Sequence, residues 1–232
     1  MWRPTTIEDI VADTATARTL RFAAPGWDGH VPGQHVDLRV TAPDGYTAVR
    51  PYSIGSAPAL DTFDLTIEET PGGEVSPFLT QSARPGASVE IRGPLGRWFV
   101  WRPEQEEPVQ LIAGGSGVVP LMSMLRTHRN VSHPSPMRLL YSVRSPSSSL
   151  YAGELGDDVT VLYTREAPTG SLREPHRLQE ADVTAAAIPA VQRPQCFVCG
   201  PTPFVETAIE LLVRLGHDPT LIRAERFGAG RN

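Results

Sequence analysis

Cysteine is nearly absent from this chain, whose 232 residues include only two, Cys196 and Cys199. A zinc or iron–sulfur site takes about four ligands, and no second Cys or Cys/His pair completes a set, so no metal site is expected. The C-x-x-C spacing also reads poorly as a redox pair. "QCFVCG" is an apolar run suited to a strand, where residues three apart face opposite sides of the sheet and the two thiols diverge. The six histidines are scattered and read as packing or surface groups. Long hydrophobic runs are missing as well. Nothing approaches the ~18 apolar residues that span a bilayer, and the opening "MWRPTTIEDIVADT" has no signal-peptide core, so a cytoplasmic protein is expected. An excess of positive charge is also lacking: the net charge of −5 argues against nucleic acid or an anionic membrane as the main partner.

The remaining composition suits one large or two modest globular domains. The chain is organised around "LIAGGSGVVPLMSML", Leu111 to Leu125. The apolar run Val109 to Ala113 meets three glycines and then an apolar pattern at helical spacing, which reads as strand, tight turn and helix. Such a unit aims free N–H groups and the positive end of a helix dipole at an anion. The pattern is Gly115-x-Gly117-x-x-Pro120; Pro120 fits the first helical turn, where an N–H has no intrahelical partner. A hydrolase reading fails locally, because "GGSGV" does not supply G-x-S-x-G.

The first half reads as β-structure. Ile7 to Thr14, Thr16 to Ala23, His35 to Val40 and Phe63 to Glu68 carry strand patterns separated by Gly/Pro/Asp punctuation, as expected of an antiparallel barrel. "RPYSIGSAP" places an arginine, an aromatic and a hydroxyl at a strand end, a set suited to a phosphate, a flat ring and a ring heteroatom. "TPGGEVSPFLTQ" reads as a loop closing onto a short helix with Ser76 at its cap and Pro77 at its first position. "ASVEIRGPLGRWFVW" is expected to end in an aromatic-rich strand, and the polar segment "RPEQEEP", Arg102 to Pro108, marks a domain boundary. Beyond it, strands Val109 to Ala113, Met137 to Val143, Val159 to Thr164 and Gln195 to Cys199 alternate with helices Val118 to His128, Leu178 to Ala187 and Pro203 to Leu215. A last strand runs from Leu221 to Arg226. This is the signature of a doubly wound parallel sheet, which binds ligands beyond the carboxyl ends of its strands. Gly114 to Gly117, Arg144, Arg165 and Gly200-Pro201 all fall at such ends.

With "RPYS", "GGEVSPFL", "GGSGVVPL", "VCGPTPFVE" and "ERFG" in this order, the chain resembles the ferredoxin–NADP⁺ reductase superfamily over nearly its whole length. The resemblance implies an antiparallel six-stranded flavin-binding β-barrel over 1–103 and an α/β doubly wound NAD(P)-binding domain over 108–232, with the active site between them. It implies that Arg50 binds a flavin phosphate, that Tyr52 stacks on the isoalloxazine and Ser53 hydrogen-bonds near flavin N5, and that Gly73 and Ser76 hold a pyrophosphate, with Pro51, Glu74 and Val75 also at the cofactor, so that FAD is expected over FMN. Gly115, Gly117 and Pro120 would hold the nicotinamide nucleotide's phosphates. Cys199, Gly200 and Pro201 would border the nicotinamide, and Glu225 and Phe227 would close the flavin's other side. Ser53, Cys199 and Glu225 are the residues expected at the chemistry.

The expected activity is hydride transfer from NAD(P)H to FAD, with electrons passing to a separate redox protein such as a ferredoxin or metalloenzyme. The alternative, from another class, is a docking subunit that relays electrons within a larger complex with little turnover of its own. Arg144 and Arg165 follow the second and third parallel strands, and no acidic residue immediately follows the second, so NADPH is expected over NADH. Arg84, Arg92 and Arg97 are candidates to steer an acidic partner. The protein is expected to be a monomer, and any iron–sulfur carrier is expected in trans.

Overall fold

The computed structural model describes residues 1–42 and 44–227. Gly228 to Asn232, which follow the terminal aromatic, lie outside the described residues. Six antiparallel strands form the first unit: β1 (Arg3–Ala12), β2 (Ala17–Ala23), β3 (His35–Thr41), β4 (Thr47–Ser53), β5 (Thr62–Glu68) and β6 (Ser88–Leu95), ordered β4-β3-β6-β1-β2-β5. An antiparallel bridge between Ile54 and Leu65, with Gly55 N–H donating to Asp64 O at 2.9 Å, joins the two end strands and closes the barrel. Alternation decides which side chains enter it. Leu20 and Phe22 on β2, Val36 and Leu38 on β3, and Phe63, Leu65 and Ile67 on β5 are buried together, and Phe22 stacks on Phe63 at 5.2 Å.

The loop after β5 departs from its expected form. Helix α1 (Val75–Pro77) runs into a π turn over Phe78–Ser82, with Glu74 at the N-cap position. Ser76 therefore lies inside the helix. Its hydroxyl cannot cap because the chain turns back through Gly73 N–H to Thr70 O (2.9 Å), and Ser76 Oγ accepts from Thr70 N–H at 3.0 Å.

The expected aromatic strand at the barrel's end is also absent. β6 stops at Leu95, Gly96 takes φ +96°, and Phe99 and Trp101 turn away to be buried with Leu111, Leu139 and Phe197 in the second unit.

That second unit is a five-stranded parallel sheet in the order β11-β10-β7-β8-β9: β7 (Val109–Gly114), β8 (Met137–Val143), β9 (Val159–Tyr163), β10 (Gln195–Pro201) and β11 (Ile222–Phe227). Helices α2 (Val118–Asn130), α3 (Glu180–Ala186) and α4 (Thr202–Arg214) connect them. The sheet is buried on both faces, and every residue of β7 is buried, as a central parallel strand requires. Cys196 packs on one face with Val198 and Leu212, and Cys199 on the other with Phe197 and Leu121, so the thiols do diverge. No helix among the described residues is long and apolar enough to cross a membrane.

Candidate functional site

In the second sheet the chain moves from β7 through α2 to β8 on one side, and β10 returns on the other. A crevice therefore opens beyond the carboxyl ends of β7 and β10. Two glycine segments meet there. Gly115, at φ +54°, makes the turn into a single 3₁₀ turn that leads into α2. A Cβ on Gly117 would lie 2.3 Å from Cys199 O and 2.7 Å from Gly200 Cα, so only glycine permits this backbone contact. The sequence-predicted Gly115, Gly117, Pro120, Cys199, Gly200 and Pro201 are thus brought together around one switch point, with Pro120 buried in the first turn of α2.

The edge strand completes this end of the sheet. Cys199 lies opposite Glu225 and Pro201 opposite Phe227 in the β10–β11 register. Burial pushes the Glu225 carboxyl up to about 7. The Cys199 thiol is driven well above its ordinary range by burial, with the Glu225 charge adding to the effect. Cys199 is therefore an uncharged, weakly nucleophilic group at neutral pH. Phe227 remains partly exposed. Arg144 and Arg165 converge after β8 and β9, where Arg165 N–H donates to Arg144 O at 3.0 Å. Both side chains are exposed, and among the described residues neither forms an ion pair.

On the barrel, β4 lies at the end of the strand order and its second edge is joined only at Ile54. Pro51, which has no N–H to donate, is compatible with such an edge. Arg50 and Pro51 are exposed, whereas Tyr52 and Ser53 are half-buried. Burial pushes the Tyr52 hydroxyl up to about 12 against the opposing pull of the Arg50 charge. Arg50 reaches the loop before α1: Nη2 lies 3.4 Å from Glu74 Oε2, and Tyr46 Oη donates to the same carboxylate at 3.3 Å. The structure thus brings Arg50 together with Glu74, while Val75 and Ser76 are buried behind them. Tyr46 was not legible as a site residue, because its only local signal is the preceding Asp-Gly turn. The side chain of Glu74 cannot itself bind an anion; it competes for Arg50.

The residues present fit two nucleotides. An accessible guanidinium and an aromatic lie on the open edge of the barrel, and a backbone cradle too tight for any Cβ lies at the switch point. The architecture is that of a two-domain oxidoreductase with one domain for each nucleotide. Residues 5–100 match the oxidoreductase FAD-binding domain family and residues 111–210 the oxidoreductase NAD-binding domain family. The two matches together take in most of the chain, which belongs to the oxidoreductases built from an FAD-binding domain followed by an NAD-binding domain.

The chain is 29% identical to the glycine betaine monooxygenase reductase subunit of Pseudomonas aeruginosa, over 94% of this chain and 62% of that protein. It is 28% identical to the ferredoxin reductase component of 3-ketosteroid-9-alpha-monooxygenase from Rhodococcus rhodochrous, over 97% and 64%. It thus spans less than two thirds of the length of these relatives. The FAD/NAD-binding domain of nitric oxide dioxygenase from Vibrio cholerae has the same fold, with a TM-score of 0.87 at 24% identity over 98% of this chain and 99% of that one. Phthalate dioxygenase reductase shares it with a TM-score of 0.74 at 21% identity, over 100% and 70%.

Proposed function

We propose that the chain is an NAD(P)H-dependent flavoprotein reductase that takes hydride from the nicotinamide and passes electrons to a separate redox protein. The observation that supports this reading most directly is the approach of the two sites. The chain leaving Tyr52 and Ser53 runs through Gly55, where a Cβ would lie 3.3 Å from Val119 Cγ1 in the first turn of α2, immediately after Gly115 to Gly117. FAD, when bound, supplies the chemistry of accepting a hydride and releasing electrons to the acceptor.

The chain's own groups bind, orient and hold protons. Arg50 neutralises flavin phosphate charge, with backbone N–H groups of Gly73 to Ser76 as further partners. Pro51, Tyr52 and Ser53 would hold the ring along β4, with the Ser53 hydroxyl as a donor to it. Gly115 and Gly117 let the nucleotide phosphates approach the start of α2, where Pro120 is tolerated because an N–H in the first turn has no intrahelical partner. Pro201 offers the nicotinamide an exposed, uncharged surface, with Cys199 and Gly200 buried beneath it, and Glu225 with Phe227 closes the flavin's other side. Glu225 can hold a proton near neutral pH. Arg144 and Arg165 favour the 2′-phosphate, and hence NADPH.

The flavin domain spans 1–103, its last aromatics Phe99 and Trp101 packing into the core of the nucleotide domain at 108–232, in a monomeric, cytoplasmic protein. The relatives named as reductase components of monooxygenases support a protein acceptor. Arg92 is already paired with Asp37 at 2.5 Å, so Arg84, which donates to the uncharged carbonyls of Gln81 and Ala83, and Arg97 are the arginines left to steer it.

The test is spectral identification of the flavin, followed by ferricyanide reduction with NADPH and with NADH. Protein that cannot be loaded with flavin would overturn the assignment. Flavin-loaded protein inert toward both nucleotides would instead leave a relay subunit.

A further inference from the structure

Among the contacts between the two domains are part-buried polar ones that converge on two carbonyl oxygens. Gly55 and Ser56 directly follow Tyr52, Ser53 and Ile54, at the point where β4 leaves the barrel. Arg126 Nη1 donates to Gly55 O at 2.6 Å and Ser123 Oγ donates to Ser56 O at 2.6 Å. From the barrel side His30 Nε2 lies 3.1 Å from the same Ser56 oxygen. Ser123 and Arg126 are three residues apart and share one face of α2, the helix that begins just after the Gly115–Gly117 turn.

The rest of the Arg126 guanidinium is held equally closely. Nε and Nη2 donate to Glu154 at 2.8 and 2.5 Å, and the group lies 4.6 Å over the Tyr151 ring. Tyr151 is buried at φ +57°, a conformation an aromatic residue adopts only where its surroundings hold it. Its hydroxyl crosses to the barrel and donates to Thr66 Oγ1 at 2.6 Å. Thr66 in turn meets Thr19 Oγ1 at 2.6 Å, and Thr19 donates to Asp13 at 2.6 Å. All the donors in this chain run toward one carboxylate, so it is satisfied in a single direction. A Cβ on Gly55 would lie 2.7 Å from the Tyr151 hydroxyl and 3.3 Å from Val119 Cγ1, which leaves no slack between backbone and ring.

We propose that Arg126, Ser123 and Tyr151 are positioning residues: a polar latch that fixes the barrel end carrying Tyr52 and Ser53 against the start of α2, and so sets the spacing between flavin and nicotinamide. The inference rests on the proposed function, since it concerns the alignment of that pair. Interfaces between domains of one chain are often small and permit relative motion, whereas hydride transfer requires the reacting atoms to be held within a narrow distance. Apolar contacts alone can slide. Hydrogen bonds to two successive carbonyls beside the flavin strand fix one register.

The test uses Arg126→Ala, Arg126→Lys, Ser123→Ala and Tyr151→Phe. Arg39→Ala serves as a control, because Arg39 pairs with Glu90 wholly within the barrel. Two readouts are needed: anaerobic stopped-flow reduction of the flavin-loaded protein, and hydrogen exchange of the flavin-free chain. In Arg126→Ala the limiting reduction rate should fall about tenfold or more, with the Kd for nucleotide and for flavin changed by less than about threefold. Arg126→Lys should recover part of the rate, Tyr151→Phe and Ser123→Ala should show smaller losses in the same direction, and Arg39→Ala should match the wild type. Amide exchange at Ile54 and Gly55 should rise in Arg126→Ala while that of β10 stays unchanged.

An unchanged reduction rate in Arg126→Ala, or an equal loss in Arg39→Ala, overturns the latch. If Arg126→Ala does not fold, unchanged rates in both Tyr151→Phe and Ser123→Ala do the same. Failure of the wild type to be reduced by either nucleotide would instead refute the proposed function, and the exchange measurement would still decide whether the latch holds the two segments together.

Discussion

Glu225 should make the protein less stable as the pH rises through neutrality. Burial beside Cys199 pushes its carboxyl up to about 7 from an ordinary 4.5. Between those two values the folded chain holds a proton that the unfolded chain has released. Unfolding therefore releases that proton, and stability falls as pH rises from about 4.5 to about 7 and stays reduced above it. This is the reverse of a salt-bridged carboxylate. The displacement is about 2.5 pH units, and at about 1.36 kcal/mol per unit it sets a ceiling of about 3 kcal/mol. Glu225 retains some contact with solvent, which screens the charge and lowers the expected cost to about 1–2 kcal/mol. Glu225→Gln keeps the shape and removes the charge. Its Tm should exceed that of the wild type by about 2–8 °C at pH 8 and nearly match it at pH 5, a range that follows from the chain's size. Thermal unfolding followed by circular dichroism at pH 5, 6, 7 and 8 measures this directly. A difference between the two proteins that is constant across pH would refute the reasoning, because a packing effect has no reason to follow the titration.

The remaining predictions concern the nucleotides. Arg50→Ala should weaken flavin binding about tenfold or more, as expected from about 1.5–3 kcal/mol for a hydrogen bond to an ionised group. Glu74→Gln should tighten it about two- to fivefold, because the exposed pair it releases is worth at most about 1 kcal/mol; fluorescence titration of the flavin-free protein measures both, and a Glu74→Gln protein that binds flavin more weakly would contradict competition for Arg50. The combined Arg144→Ala and Arg165→Ala protein should lose its preference for NADPH in kcat/KM while keeping its activity with NADH, and an unchanged ratio would show that neither arginine reads the 2′-phosphate.

Local rules were enough to read most of the framework. Val36 and Leu38 alternate as a barrel strand must, and both are buried. Gly115 and Gly117 occur where a strand must turn sharply into a helix, and Cys196 and Cys199 occupy opposite faces as period two dictates. What could not be read depends on pairs distant in sequence. Arg126 meets Gly55 across 71 positions and Tyr151 meets Thr66 across 85, and no propensity or spacing links either pair. Arg50 and Glu74 were each expected at a nucleotide site, but their mutual contact was not legible, because it depends on how the loop before α1 folds back. Ser76 followed by Pro77 carries the local signal of a helix cap, and the turn at Thr70 overrode it.

The burial of Phe99 and Trp101 against β7 and β8 bears on how such a protein can be recombined. A chimera made to change coenzyme preference would naturally be cut in the acidic, proline-bounded segment near residue 104. That cut leaves both rings on the wrong fragment: the incoming sheet would lack two core side chains, and the retained barrel would carry two exposed ones. Arg223 on β11, which donates to the carbonyls of Trp98 and Val100 at 3.1 and 2.9 Å, would leave with the exchanged sheet while its acceptors stayed behind. The exchangeable unit begins near Gly96, where β6 has ended and the chain has not yet entered the second core. A junction there should give folded hybrids, and a junction at residue 104 should give insoluble ones.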